Sequence, residues 1–503
     1  MNNTIKMVTT ALAVLTVSQS FAAQIFVDSN LSSSCQTYSD ASRSCGSGNS
    51  EAYNSLSSGV SALSAGDELL IRSGSFGQLS VQRSGTEQNP ITIRNYGNEV
   101  VTISTGGSVG ISITGQSDVT IQGLDVTSVQ GFGRIQDSTR IILEGIDFSN
   151  ASSSGTTGSL KFVRSTFSKV INSQFSDGSD LLLFQDDSNN NVLLGNIFGS
   201  ASHSLISIRC SSNNVIRNNE FNNPQQKAIE LYDCEGTSDA PVRLDDAKRN
   251  LLEGNRFLGT APSGQDYRYN AIQHGGQQTI VRHNIFANNL GGGVNYVYYG
   301  DESLYVYENR LYNNTFYENR CYGIIGQSGT ASRFYDNQVV NNLLFANANC
   351  SGGSGQVNIA NSSAVILTNN TQANSDPGFA NAAGGDFSLV SSSNQIDAGV
   401  FVASAASAGS GTTLVVDDAS WFYDGYGING EVGDVIRIEG RADTARIMSI
   451  NYSTNTLTLN ASLTWSAGDG VHTNFAGSAP DVGGIETALS GPTPNPPEDL
   501  TAE

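Results

Sequence analysis

Between residues 110 and 375 one pattern recurs: an apolar strand, a polar turn, a second apolar strand, then Asn-x-Phe. The units are Asn196-Ile197-Phe198, Asn219-Glu220-Phe221, Asn255-Arg256-Phe257, Asn284-Ile285-Phe286 and Asn314-Thr315-Phe316, with Asn342-Leu343-Leu344-Phe345 as a variant one residue longer. Upstream, Phe148 and Phe175 fall in the same phase without the Asn, and successive Phe residues are 27, 23, 23, 36, 29, 30 and 29 positions apart. A period in this range means stacked supersecondary units, none of which buries its apolar face alone. Short strands open the units at 181–184, 205–208, 229–232, 272–274, 294–297 and 324–326, with no helical periodicity between them. The pattern predicts an all-β protein, a right-handed parallel β-helix. Its Phe residues should stack inside, and its Asn amides should bond from coil to coil at a turn.

The six cysteines fit an oxidising compartment and test this register. Cys210 and Cys234 lie five residues after Leu205 and Ile229, and Cys321 and Cys350 lie five after Phe316 and Phe345. Equivalent positions on adjacent coils sit about 4.8 Å apart, within reach of a disulfide. The pairs expected are Cys210–Cys234 and Cys321–Cys350, which leaves Cys35–Cys45.

Around the repeats the chain divides further. Lys6, the apolar run 11–17 and Ser20-Phe21-Ala22-Ala23 read as an export signal over 1–23, too short to span a bilayer. The β-helix is expected over 24–400, with an amphipathic helix at 51–64 capping the open end of the stack ahead of a first coil that begins at 66–71. Residues 403–411 read as a small-residue linker into a small antiparallel β module at 401–485, and 486–503 as a Pro-rich tail. No later segment qualifies as a membrane span, so a secreted or periplasmic monomer is expected.

Charge narrows the partners. With 46 Asp+Glu against 25 Lys+Arg and a net charge of −21, the chain lacks the basic surface that nucleic acid or an anionic membrane requires. Residues 205–285 are different, because nine basic residues there balance nine acidic ones and the whole excess lies elsewhere. The two longest insertions, 235–249 and 259–270, fall in the same window, and long connections on a repeat stack commonly build its working face. Glu230, Tyr232, Gln273 and Asn295 are expected to point outward there, near Arg209, Lys227, Asp233, Arg268, Tyr269, His274, Tyr296 and Tyr299. Arg217 and Arg282, which share the same position ahead of the repeat Asn, read as a surface ladder, and His203 and His283 as packing or turn residues.

Ser84-Gly85-Thr86-Glu87-Gln88-Asn89-Pro90-Ile91-Thr92-Ile93 resembles the opening segment of alginate lyase and chondroitinase B-type polysaccharide lyases. Asn213-Asn214-Val215-Ile216-Arg217-Asn218-Asn219-Glu220-Phe221 is similar to the repeats of secreted bacterial pectate-lyase-like β-helices. Asp376-Pro377-Gly378-Phe379, Gly385-Asp386-Phe387-Ser388-Leu389, Ile396-Asp397-Ala398-Gly399 and Ala479-Pro480-Asp481-Val482-Gly483 resemble the exit and closing motifs of exported β-helix proteins. The resemblance spans about 24–485 and implies a polysaccharide lyase, although no Arg-His-Gly lyase motif is present.

β-Elimination on a uronic-acid polymer needs a group that neutralises the substrate carboxylate, a base for C5–H and an acid for the leaving O4. Lys227, Tyr232, Arg268 and His274 are the candidates for catalysis; Arg209, Tyr269, Gln273, Asn295, Tyr296 and Tyr299 are those for binding an acidic polysaccharide. Calcium held by Glu230 and Asp233 is the candidate cofactor. The alternatives are a glycoside hydrolase using Glu230 with a second carboxylate, and a polymer-binding adhesin without catalysis.

Overall fold

The computed structural model describes residues 22–487 apart from 223–224, 233–246, 260–269, 298–304, 328–331 and 374. Strands follow one another in threes, one to each of three sheets: Val192–Leu194, Ile197–Phe198 and Ser204–Arg209 make one coil, and Val215–Arg217, Glu220–Asn222 and Lys227–Tyr232 the next. Each coil strand pairs in parallel with its counterpart one coil away, giving a first sheet of 16 strands, in which Cys35–Ser39 and Ser44–Cys45 join the N-terminal edge by antiparallel pairing, a second of 12 and a third of 11. The chain is a parallel β-helix.

Alternation decides which side chains enter it. Phe148, Phe175, Phe198, Phe221, Phe257, Phe286 and Phe316 stack face to face inside the second sheet, with centroids 4.6–5.2 Å apart. The stack ends there. Phe316 faces Leu344, while Phe345 pairs with Tyr317 on the outer side, so the last unit carries no insertion and Leu344 takes the inner place. Any apolar side chain can fill that row, which is why the Phe alone misplaces the register by one residue.

The asparagine ladder is stricter. Asn196, Asn219, Asn255, Asn284, Asn314, Asn342 and Asn370 each present Oδ1 to the backbone N–H of the coil before, at 2.9–3.0 Å. The residue ahead of every one of them, Gly195, Asn218, Gly254, His283, Asn313, Asn341 and Asn369, has φ of 48–66°, the left-handed conformation of a one-residue corner. His283 is such a turn residue.

At the N-terminal end the cap helix is Leu56–Ala62, shorter than 51–64, because Ser50–Tyr53 is a strand beside Gln24–Val27. Leu56 and Val60 close the core, and Gly59 is needed because a Cβ there would lie 2.4 Å from Val27 Cγ2. Cys35–Cys45 and Cys321–Cys350 are disulfides with Cα atoms 6.1 and 4.2 Å apart. Cys210 is also disulfide-bonded, and its expected partner Cys234 lies outside the described residues.

The C-terminal residues lie against the helix. A six-stranded antiparallel sheet runs from Ala403–Ser404 to Gly470–Thr473; Ala403–Ser404 and Gly409–Val415 are strands of it, so 403–411 is not a free linker. Trp421, Phe422, Tyr423 and Ile436 of this module share a core with Val192, Val215, Leu251, Ile280 and Tyr312 on the outer face of the first sheet. Arg217 and Arg282, expected on the surface, are buried beneath it. Glu253 accepts from both, at 2.8 and 2.7 Å, and they continue to Glu431 and Asp434 of the module. Phe379, Phe387, Leu389 and Val482 cover the second sheet in the same way, over Ile285, Ala287 and Leu343.

Candidate functional site

With the outer faces of the first and second sheets covered along the C-terminal coils, the third sheet carries the remaining face. Its inner rows are Ile206, Ile229, Ile272 and Val294, and beside them Ile208, Leu231, His274 and Tyr296. Alternation therefore turns Ser207, Glu230, Gln273 and Asn295 outward in one continuous row, register partner to register partner. Arg209 and Tyr232 form a second outward pair, with the guanidinium 5.8 Å from the ring centroid. A polar row here is the signature of a face that meets something other than its own core.

Within this row the contacts are charged. Lys227 donates to Glu230 Oε1, Ser207 Oγ donates to Oε2 at 3.4 Å, and an Arg209 Nη lies 3.9 Å from Oε2. Gln273 donates to the Tyr232 hydroxyl. Glu230, Gln273 and Asn295 are buried although they point away from the coil interior, whereas the side chain of Arg209 is 29 % exposed and marks the rim.

The structure thus assembles Arg209, Lys227, Glu230, Tyr232, Gln273 and Asn295 on one face, and it removes two candidates. His274 and Tyr296 are inside the helix, fully buried, with ring centroids 5.1 Å apart. His274 shares the inner phase of Ile272 and follows Leu231, so neither it nor Tyr296 touches a polymer on the outer face. Asp233, Arg268, Tyr269 and Tyr299 lie outside the described residues.

Calcium does not fit the part of its expected site that is described. Both Glu230 oxygens are turned to donors, one an ammonium and the other a hydroxyl with a guanidinium behind it, where a divalent ion needs several oxygens converging on it. Among the described residues no three His, Cys, Asp or Glu converge on a point.

Burial pulls the His274 imidazole down to about 3, and its Nε2 has no hydrogen-bond partner among the described residues. An unfolded histidine titrates at about 6.5. Folding therefore gives up a proton as pH falls below that value, and stability drops toward acid. His274→Leu, which matches Leu231 in the row, is expected to raise stability at pH 5 by about 2 kcal/mol and flatten the slope between about pH 6.5 and 4.5. Denaturant titrations at several pH values measure this, and an unchanged slope refutes it.

Residues 109–238 match the family described as a right handed beta helix region. The solenoid is right-handed. Among solved structures the right-handed helix is similar to a pectate lyase, at 14% identity over 92% of this chain and 96% of that one, with a TM-score of 0.47. An alginate lyase from Paenibacillus sp. str. FPU-7 matches at 17% identity over 60% and 96%, with a TM-score of 0.38. PfbA, a surface adhesin of Streptococcus pneumoniae, matches at 12% over 64% and 90%, with a TM-score of 0.39. No curated protein matches the chain. A parallel β-helix fixes no activity by itself; activity lies with the residues on its faces.

Proposed function

We propose that this protein is an extracytoplasmic, carbohydrate-active enzyme that binds an acidic polysaccharide along the outer face of the third sheet and cleaves it by β-elimination. The observation that carries the reading is the placement of Lys227 and Arg209 on either side of Glu230, on an outward row that continues into the amides of Gln273 and Asn295. Two cations on the paired strands of neighbouring coils, Arg209 at the end of Ser204–Arg209 and Lys227 at the start of Lys227–Tyr232, suit a chain of uronates, whose carboxylates exchange with Glu230 for them and gain charge-assisted hydrogen bonds. Neutralising the substrate carboxylate is what makes C5–H acidic enough to lose. Tyr232, with its hydroxyl held by Gln273, offers a ring face to a sugar beside Arg209. An oxidising compartment agrees with the disulfides, and no helix among the described residues is long and apolar enough to cross a membrane.

Purified protein on alginate, pectate and chondroitin sulfate is expected to release products with the ultraviolet absorbance of a C4=C5 double bond, with or without chelator. Arg209→Met is expected to lower kcat/KM about a hundredfold. New reducing ends without unsaturation would identify a hydrolase instead, and binding without product an adhesin.

A further inference from the structure

The four histidines of the chain divide three to one. His274 and His472 are fully buried and pulled down to about 3 by their burial, and the turn residue His283 is pulled down to about 4 by desolvation and then by Arg282. None of the three changes charge near neutrality. His203 is the exception. Its side chain is 36 % exposed, and the hydrogen bond to Asp180 raises its affinity for a proton above the ordinary value against the opposing effect of burial.

Its setting is built by the stack. Asp180 and His203 each sit just ahead of a third-sheet strand, Leu182–Gln185 and Ser204–Arg209, and Lys227 opens the next one. The three follow one another on successive coils along one edge of the candidate face, His203 lying one residue ahead of Ser204, the register partner of Lys227. Asp180 is all but buried, with 3 % side-chain exposure, and its Oδ1 lies 2.7 Å from His203 Nδ1 while also accepting from the Ser204 N–H at 3.1 Å. A carboxylate oxygen accepts, so Nδ1 carries the proton and Nε2 keeps its lone pair, on a side chain that is partly exposed. From the next coil the Lys227 N–H donates to the His203 carbonyl, and the charges of Lys227 and Glu230 act on the imidazole. Among the described residues, Asp180 from one side and Lys227 with Glu230 from the other are the charged groups that act on it.

We propose that His203, positioned by Asp180, is the proton-transfer residue of this face. The inference rests on the functional reading above. Nε2 takes the C5 proton of a uronate whose carboxylate is paired with Lys227. The C5–H electron pair becomes the C4=C5 double bond as the C4–O4 bond breaks, and the imidazolium returns the same proton to O4. One residue can serve both ends only where C5–H and O4 lie on the same side of the ring. The preferred substrate class is therefore a uronate of that geometry, such as mannuronate, over one in which they oppose, such as galacturonate.

The test compares wild type, His203→Gln and Asp180→Asn on polymannuronate and pectate across about pH 5 to 9, the range in which an imidazole changes charge. Wild type is expected to favour polymannuronate, with an acidic limb in kcat/KM at a pKa above 6.5, the value from which that of His203 is raised. H203Q should lose about a hundredfold in kcat with KM little changed, and D180N should move the limb downward. Thermal melts of both variants check folding. Proton NMR of the wild type should show a single imidazole titrating in this range, absent from H203Q. An active wild type with H203Q at full kcat, or with D180N leaving the limb in place, overturns this inference alone. A wild type that forms no unsaturated product from either polymer, or from chondroitin sulfate, overturns the functional reading and the inference with it.

Discussion

Glu253→Ala is expected to cost about 3–5 kcal/mol, the range for removing one partner of a buried ion pair. Glu253 lies between two guanidiniums, its oxygens 2.8 Å from Arg217 Nε and 2.7 Å from Arg282 Nε, and all three residues are buried. Burial alone would raise its carboxyl, but Arg282 and Arg217 hold it well below the usual carboxylate range. Removing it leaves two cations side by side, with Glu431 and Asp434 of the module as their remaining partners. Repulsion between the arginines then loads the contact between the module and the first sheet, so the module should loosen before the coils do. Equilibrium denaturation, followed by the fluorescence of Trp421 and Trp465 and separately by far-ultraviolet dichroism, measures both effects. The two probes coincide in wild type under this account and separate in the variant. Glu253→Gln keeps the shape and isolates the charge, and should recover part of the loss. A loss below about 1 kcal/mol for Glu253→Ala would mean that solvent reaches the arginines.

How far the sequence reveals this protein depends on how far apart the interacting residues lie. Contacts one coil apart are written at the coil spacing. Asp180 and His203 are separated by 23 residues, the spacing of Phe175 and Phe198, so the pair was legible as near neighbours on adjacent coils, although the third-sheet register sets His203 one residue ahead of the position equivalent to Asp180. Reading His203 as a turn residue overlooked that signal. The inner place of His274 was legible too, at an inward-or-edge strand position two residues after the inward Ile272, although its chemistry kept it among the catalytic candidates. What could not be read is the burial of Arg217 and Arg282. Their partners Glu431 and Asp434 lie 214 and 152 residues away in a module without the repeat, and no periodicity links the two. The outward row at Ser207, Glu230, Gln273 and Asn295 follows from alternation alone, whereas the pairing of Lys227 with Glu230 depends on side-chain directions that alternation does not set.

Asn255→Ala tests the feature on which the whole reading of the fold depends. Asn255 is fully buried and uses every polar atom of its side chain. Oδ1 accepts from the Asn219 backbone N–H at 2.9 Å and from its Nδ2 at 3.1 Å, while its own Nδ2 donates to Ile216 O at 2.8 Å and to Asn284 Oδ1 at 3.0 Å. Alanine would leave the Asn219 N–H and the Ile216 carbonyl without these partners in a space closed to bulk water. At about 1–3 kcal/mol for each orphaned buried group, the expected loss is about 2–6 kcal/mol, comparable to emptying the Phe257 position beside it. Asn255→Asp separates hydrogen bonding from shape. A carboxylate keeps the acceptor but loses both donors and sets a charge against Asn284 Oδ1, so it should be worse than alanine at neutral pH. Protonation returns one donor. The folded pKa of that aspartate is thereby raised, stability falls as pH rises through it, and the aspartate variant should recover on acidification relative to alanine. An aspartate variant as stable as wild type at neutral pH would mean that the ladder only fills space, and that the Phe stack, not the amides, sets the register of the coils.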